Sequence, residues 1–275
     1  MDLFRKKDIN NLSEHDTALL RCLSALDLTF LGVGAIIGAG IFILTGIVAA
    51  TQAGPAIIFS YILAGFACAF TALSYAELAA AIGGCGSAYG YAYAGFGELI
   101  AWIVGWDLLL EYAVSVSTVA VGWSGYFNEL LLTLHRHIPS DLLLSPLRGG
   151  DVDILSFLVI IGLSLVLILG AKSSARANNL IVILKLLVIM LFIVIATKEV
   201  NPKNWVPFLP FGWSGVAKGA SLIFFAYIGF DAVSTAAEEV INPQKNVPRG
   251  LIGSLLICTF LYILVAGLLT GIVSS

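Results

Sequence analysis

Gly32-Val-Gly-Ala-Ile-Ile-Gly-Ala-Gly-Ile-Phe-Ile-Leu-Thr-Gly46 lies inside an apolar run from about Leu26 to Ala50. Such a run can cross a bilayer, which takes about 20 apolar residues. Its centre is nevertheless poor helix. Gly38 and Gly40 flank Ala39, and a glycine weakens a helix by roughly 0.5–1 kcal/mol relative to alanine. Backbone freed at that depth must find partners within the protein, because lipid offers none. A helix interrupted there exposes N–H groups on one half and carbonyls on the other, which together can hold an anion and a cation. The alternative is an unbroken helix with Gly34 and Gly38 as a close-packing face. A second interruption far along the chain favours the first reading.

The rest of the composition sets the class. Of 275 residues, 59% are hydrophobic and 11% charged, against about 25% charged in soluble domains. The chain is therefore read as an all-α polytopic membrane protein. The net charge of −3 says nothing about nucleic acid, and with no basic patch no such partner is expected. The polar start of the chain lacks an apolar core with a cleavage site, so no signal peptide is read. Cys22, Cys68, Cys85 and Cys258 show no metal-ligand spacing and are read as small packing residues. No cofactor, metal or enzymatic role is expected, because no Ser-His-Asp, His-Glu-x-x-His or nucleotide motif occurs.

Seven spans are predicted. Span 1 covers about 26–50, with an interruption near 37–40, and Pro55 opens span 2, about 55–81. Gly83-Gly-Cys-Gly86 leads into a long span 3, about 88–127. That length implies tilt, extension beyond the membrane, or two helices read as one. Spans 4 and 5 cover about 153–170 and 177–197, and the proline-rich segment 198–210 suits a loop or surface helix. Span 6 covers about 213–240 and span 7 about 248–272. Orientation follows from Lys and Arg in the loops. Arg5, Lys6, Lys7, Arg21, Lys172, Arg176, Lys245 and Arg249 fall on the side of the N-terminus. Arg136, Arg148, Lys198, Lys203 and Lys218 fall on the other. This bias predicts a cytoplasmic N-terminal segment, residues 1–25.

Span 6 reads Phe224-Phe-Ala-Tyr-Ile-Gly-Phe-Asp-Ala-Val-Ser-Thr-Ala-Ala-Glu-Glu239. Gly229 falls at membrane depth, and Asp231 follows it. A carboxylate there costs about 2.5–3.5 kcal/mol on insertion scales, so it must face a cavity or a partner. Spans 1 and 6 are both glycine-interrupted, five spans apart, and an odd repeat length inverts the second copy. Interrupted segments at corresponding positions of inverted repeats point to a transporter site.

At these residues the chain resembles a known family. Gly38-Ala-Gly-Ile-Phe42 is similar to the glycine signature of the amino acid–polyamine–organocation superfamily. The span 6 string, followed by Asn242-Pro243 and Pro248, resembles its cationic amino acid transporter branch. So do Ser74-Tyr-Ala-Glu-Leu78 and Gly105-Trp-Asp-Leu-Leu-Leu-Glu-Tyr112. The resemblance runs from about Leu26 to the end. It implies a five-plus-five inverted-repeat fold, with spans 1–5 (26–200) as the first repeat and spans 6–7 (213–275) as the start of the second. Spans 8 to 10 of that fold are not in this sequence, so the chain is expected to be an N-terminal part.

The resemblance also implies a site. The substrate would be an amino acid whose carboxylate meets the N–H groups of Gly38, Ala39 and Gly40, a helix N-terminus suited to anions. Its ammonium would meet the carbonyls of Ile36, Phe225, Ala226 and Ile228. Phe225 and Phe230 would shape the pocket; the alternative for both is a core or lipid-facing place, which suits Phe230 better. Related transporters often hold sodium between spans 1 and 8, beside span 5. Here Lys185 of span 5 would put an ammonium on the carbonyls near Ile37 and Gly38 instead. Glu111, one turn after Asp107, and Asp231 are the candidates for carrying a proton, and Lys185 could itself lose and regain a proton in each cycle. Glu77 is read as an interface residue, Glu98, Glu238 and Glu239 as span-end charges, and His135 and His137 as loop residues without a role. The function implied is a proton-coupled amino acid permease in the cell membrane, with protons and the lipid bilayer as its other partners. The alternatives are an exchanger of the same fold or an inactive truncated fragment. A seven-span receptor rests on the count alone and is opposed by the glycine interruptions.

Overall fold

The computed structural model describes residues 5–6, 21–82, 86–136, 138–144, 149–168 and 171–273. The glycine loop 83–85, with Cys85, and His137 lie outside them, as does most of the polar N-terminal segment. Residues up to Gly105 together with those from Asn178 onward form one compact unit, and Trp106–Ala177 form another.

In the first unit, Ser24 starts helix α1 (Ala25–Ile36). Asp27 N donates to Ser24 Oγ and Ser24 N donates to Asp27 Oδ2 at 2.9 Å, a reciprocal cap. The helix stops at Ile37, whose backbone is extended, and a 3₁₀ turn, Ala39–Ile41, carries the chain into α2 (Ile43–Val48). A π-helical turn, Ala49–Ala53, and a left-handed Gly54 then reverse the chain into α3 (Ile57–Ile82).

Helix α4 (Ser87–Phe96) is separated from α5 (Glu98–Thr133) by Gly97, with φ 95°. The predicted span 3 is thus two helices read as one. At 36 residues α5 alone still exceeds the hydrocarbon core, since about 1.5 Å per residue makes it longer than 30 Å. Next come α6 (Ile154–Ile168), α7 (Ala171–Ala196), α8 (Gly212–Ile223), α9 (Ala232–Thr235) and α10 (Pro243–Ile272).

Among the described residues five stretches are long and apolar enough to cross a membrane: Ile43–Ala79, Glu98–Thr133, Asn178–Ala196, Gly212–Thr235 and Pro243–Ile272. This is a multi-pass membrane protein, nearly all helical where described. Predicted spans 1 and 4 appear instead as the shorter apolar helices α1 and α6. At 12 residues, α1 rises only about 18 Å and needs α2 to complete a crossing.

The core of the first unit joins α1, α3, span 6, α7 and α10 through fully buried residues such as Leu28, Tyr61, Tyr227, Leu251, Cys258 and Tyr262. Along α3 the buried positions Ala64, Cys68, Ala72 and Ala76 recur every four residues. Such a stripe of small residues lets neighbouring backbones come close. Cys68 and Cys258 are core residues, whereas Cys22 is exposed.

Two further ties shape this unit. The chain ahead of α1 pairs with the end of span 6, where Leu23 N donates to Glu239 O and Ile241 N to Leu23 O, both at 2.9 Å. The segment after α7 forms a 3₁₀ turn, Pro202–Trp205, and covers the C-terminus of α10. Asn201 N and Asn204 Nδ2 donate to Gly271 O at 2.9 and 2.8 Å, satisfying a carbonyl the helix leaves open. In the second unit, Asp153 caps α6 by accepting from Ser156 N at 3.0 Å, and Ser124 Oγ of α5 donates to it at 2.7 Å.

Candidate functional site at the two helix breaks

A helix leaves its last four carbonyls without intrahelical donors. At the end of α1 most of these can be traced. Val33 O accepts from Ile37 N at 3.0 Å, the final bond of the helix. Gly34 O and Ile37 O both accept from Lys185 Nζ of α7, at 2.8 and 2.6 Å. Ile36 O lies 3.0 Å from the Tyr262 hydroxyl of α10. A cation at the C-terminal end of a helix is also where the helix dipole favours positive charge. Gly34 makes the lysine's approach possible. A Cβ there would lie 2.7 Å from Val182 Cγ2, one turn before Lys185 on α7.

Span 6 is broken in another way. Helix α8 tightens into a 3₁₀ turn, Phe224–Tyr227, before the chain turns through Ile228 to Asp231. Gly229 has φ 106°, and a Cβ on it would lie 3.0 Å from Ala35 O, so the second break presses against the end of α1. A Cβ on Gly40 would meet Ala226 Cβ at 3.4 Å, an ordinary contact. The Tyr262 hydroxyl lies 2.8 Å from Ala226 O as well as near Ile36 O. The Tyr61 and Tyr227 rings flank it, with centroids 5.1 and 5.3 Å from that of Tyr262. The Tyr227 hydroxyl donates to Tyr61 O at 3.1 Å, and the Tyr61 hydroxyl pairs with Thr45 Oγ1 at 2.6 Å.

The structure thus brings Ile36, Gly40, Ala226 and Lys185 of the expected site together in one region. Ala39 begins the 3₁₀ turn between the half-helices and Gly38 is exposed beside it. Ile228 is half-buried in the second turn. Phe225 is 68% exposed, and its carbonyl accepts from Ile228 N at 3.4 Å. Its ring therefore faces outward, not towards the break. Phe230 is a core residue, edge-on to Tyr75 with centroids 5.6 Å apart. Asp231 is buried, and its backbone carbonyl accepts from Ser234 N and Oγ at 2.8 and 2.6 Å. Glu111 is half-buried and Asp107 exposed, both on the part of α5 that belongs to the second unit. Glu77, Glu98 and His135 are exposed, and Glu238 and Glu239 are half-buried.

Among the described residues no cluster of His, Cys, Asp and Glu could hold a metal ion. Two open apolar grooves run along α3 and α8, lined by residues such as Leu63, Phe66 and Trp213, and one of them reaches Phe224 at the start of the span 6 break. Sequence reasoning missed Tyr262. The available signal was a phenol hydroxyl in the middle of an apolar span, where it must find an acceptor.

Residues 23–275 match the family model described as amino acid permease. The chain belongs to the amino acid permease family. The chain is 50% identical over 273 residues to the methylthioribose transporter of Bacillus subtilis, an alignment covering 98% of this chain and 59% of that protein. It is also 50% identical over 278 residues to the branched-chain amino acid permease BcaP of the same organism, covering 98% and 60%. Human cationic amino acid transporter 4 is 39% identical over 265 residues, covering 94% of this chain and 42% of that one. The permease chain therefore spans about three-fifths of the two bacterial relatives, as their 59% and 60% coverage shows. These relatives are transporters, and the family belongs to the amino acid–polyamine–organocation superfamily.

Proposed function

We propose that this permease chain carries the substrate-holding breaks of a secondary active amino acid transporter that works by alternating access and is coupled to protons. The observation that supports this most is the meeting of the two breaks. Carbonyls of Ile36 and Ala226 converge on one point, and the Ala39–Ile41 turn opens the second half-helix beside them. An amino acid needs an acceptor for its ammonium and donors for its carboxylate at about that spacing. The N–H groups of Gly38, Ala39 and Gly40 would supply the donors.

In this reading residues 26–200 form the first of two inverted repeats, 213–275 begin the second, and the N-terminus is cytoplasmic. Lys185, bonded to Gly34 O and Ile37 O, acts as a fixed internal cation, and no sodium is needed. Asp231 and Glu111 are the proposed proton carriers. Membrane depth supports both assignments, because an ionisable group retained there is expensive and tends to be functional.

A second reading rests on the relatives. The methylthioribose transporter is as similar to this chain as BcaP is, at 50% identity. A neutral thiosugar has neither ammonium nor carboxylate, so it would use the same breaks through hydroxyl hydrogen bonds. The deciding experiment is uptake of labelled leucine, arginine and methylthioribose into proteoliposomes, with and without a pH gradient and sodium. Gradient-driven, sodium-independent leucine or arginine uptake is expected. Uptake of methylthioribose alone overturns the amino acid reading, and accumulation that ignores the gradient leaves an exchanger.

A further inference from the structure

Tyr262 is fully buried in α10, yet its hydroxyl is within hydrogen-bond distance of two carbonyls from different spans. These are Ile36 O, at the end of the first half-helix, and Ala226 O, in the last turn before the second break. A phenol has one proton, so it donates to these acceptors in turn or shares the proton between them. At the end of α1 the Gly34, Ile37 and Ile36 carbonyls are met by Lys185 and Tyr262. Of these two, Tyr262 also bonds to span 6. The ring is held by Tyr61 and Tyr227, at 5.1 and 5.3 Å between centroids, which leaves the hydroxyl little freedom to turn away.

We propose that Tyr262 is a positioning residue: its hydroxyl couples the two helix breaks, so that they order and loosen together and keep Ile36 O and Ala226 O in register for a substrate ammonium. The last clause rests on the proposed function; the coupling does not. When an ammonium arrives it brings further protons to the same carbonyls. The phenol proton can then settle on one acceptor while the substrate takes the other. Lys185 has no such choice, since both of its acceptors belong to the first break.

The test uses the whole chain in lipid nanodiscs, carrying Tyr262→Phe, with Tyr61→Phe as a matched control. Both variants keep the ring; Tyr61→Phe loses a hydroxyl bonded to Thr45 Oγ1 instead of to a break carbonyl. Amide hydrogen exchange is followed at residues 38–41 and 225–230 without ligand. Tyr262→Phe is expected to speed exchange in both segments by about fivefold to tenfold, the scale of one lost hydrogen bond, whereas Tyr61→Phe leaves 225–230 unchanged. Acceleration in one segment only, in neither, or equally in both variants overturns the coupling. Leucine and arginine binding to the same samples is the second readout. Weaker binding by Tyr262→Phe supports the register, and unchanged affinity overturns it. If the parent chain binds neither amino acid the proposed function fails, and the exchange result still decides the coupling.

Discussion

The two breaks touch, yet different forces hold them. At the end of α1 the freed carbonyls of Gly34, Ile36 and Ile37 are met by side chains from α7 and α10, about 150 to 230 residues away along the chain (separations of 151, 226 and 148). In span 6 the turn meets its own groups: Ile228 N donates to Phe225 O, Ala232 N to Gly229 O, and Ser234 N to Asp231 O. The first break is therefore a tertiary structure, and the second is largely a local one. A change of charge or packing elsewhere should act first on the first break, and reach the second through the Tyr262 hydroxyl that bonds Ala226 O.

The largest effect is expected from Lys185→Met. It keeps an apolar stem of similar length and removes the ammonium, leaving Gly34 O and Ile37 O without their donor. Hydrogen bonds to a charged group contribute about 1.5–3 kcal/mol each. Part of that loss is offset because no charge need then be buried. A net destabilisation of about 2 kcal/mol or more should appear in denaturant unfolding of the detergent-solubilised protein. Exchange should rise at residues 38–41, and substrate binding should fall by more than tenfold. Lys185→Arg should not restore it, because a planar fork does not reproduce a compact ammonium. Wild-type stability and exchange in Lys185→Met would show that the first break does not depend on this contact.

Glycine substitutions separate the breaks more sharply. Gly34→Val forces a side chain into Val182, 2.7 Å from the added Cβ, and should push α7 and its lysine away. Overpacking of this kind costs about 1–3 kcal/mol. Gly229→Ala instead strains one residue at φ 106° and crowds Ala35 O, at a cost of about 1–3 kcal/mol. Comparable unfolding losses are expected, with different footprints: Gly34→Val loosens 38–41, whereas Gly229→Ala acts first on 225–230. Identical footprints would remove the distinction between a tertiary and a local break.

This difference also explains what could be read from the sequence. Gly38, Gly40 and Gly229 lie in apolar runs, so both interruptions were visible in one dimension. Lys185 was visible because a cation within an apolar span needs a partner. Tyr262 was not, because a tyrosine in a span has many possible acceptors, and only the fold decides among them. The split between α4 and α5 was hidden for a related reason. Gly97 at φ 95° ends a helix only when flanking residues pack so as to turn the chain, and the apolar pattern continues across it. For Phe225 the sequence left a pocket or a lipid-facing ring open, because a carbonyl and a ring on one residue can face opposite ways.

Buried hydroxyls near the first break should give a smaller effect. Thr45 Oγ1 donates to Ile41 O at 2.6 Å and pairs with the Tyr61 hydroxyl. Thr45→Val removes that link at nearly constant volume and should cost about 1 kcal/mol, the net scale of a neutral hydrogen bond. The unfolding midpoint should shift while Lys185 keeps its carbonyls, so binding should change less than in Lys185→Met. An effect on binding as large as that of the lysine would place Thr45 in the site.

The smallest change expected in the breaks comes from Asp153→Ala, in the second unit. Asp153 caps α6 and accepts from Ser124 of α5, so its loss should destabilise that unit by about 0.5–2 kcal/mol, the range for an N-cap. Asp153 belongs to the second compact unit, and both breaks to the first. If the breaks answer only to their own partners, exchange at 38–41 and 225–230 stays at its parent rate while α6 frays. Distant sites without shared partners usually add independently, within about 0.5 kcal/mol. Combining Asp153→Ala with Lys185→Met should therefore give the sum of the two losses. A marked departure from that sum would mean that the first break is held by the whole bundle, and the contrast between a tertiary and a local break would have to be redrawn.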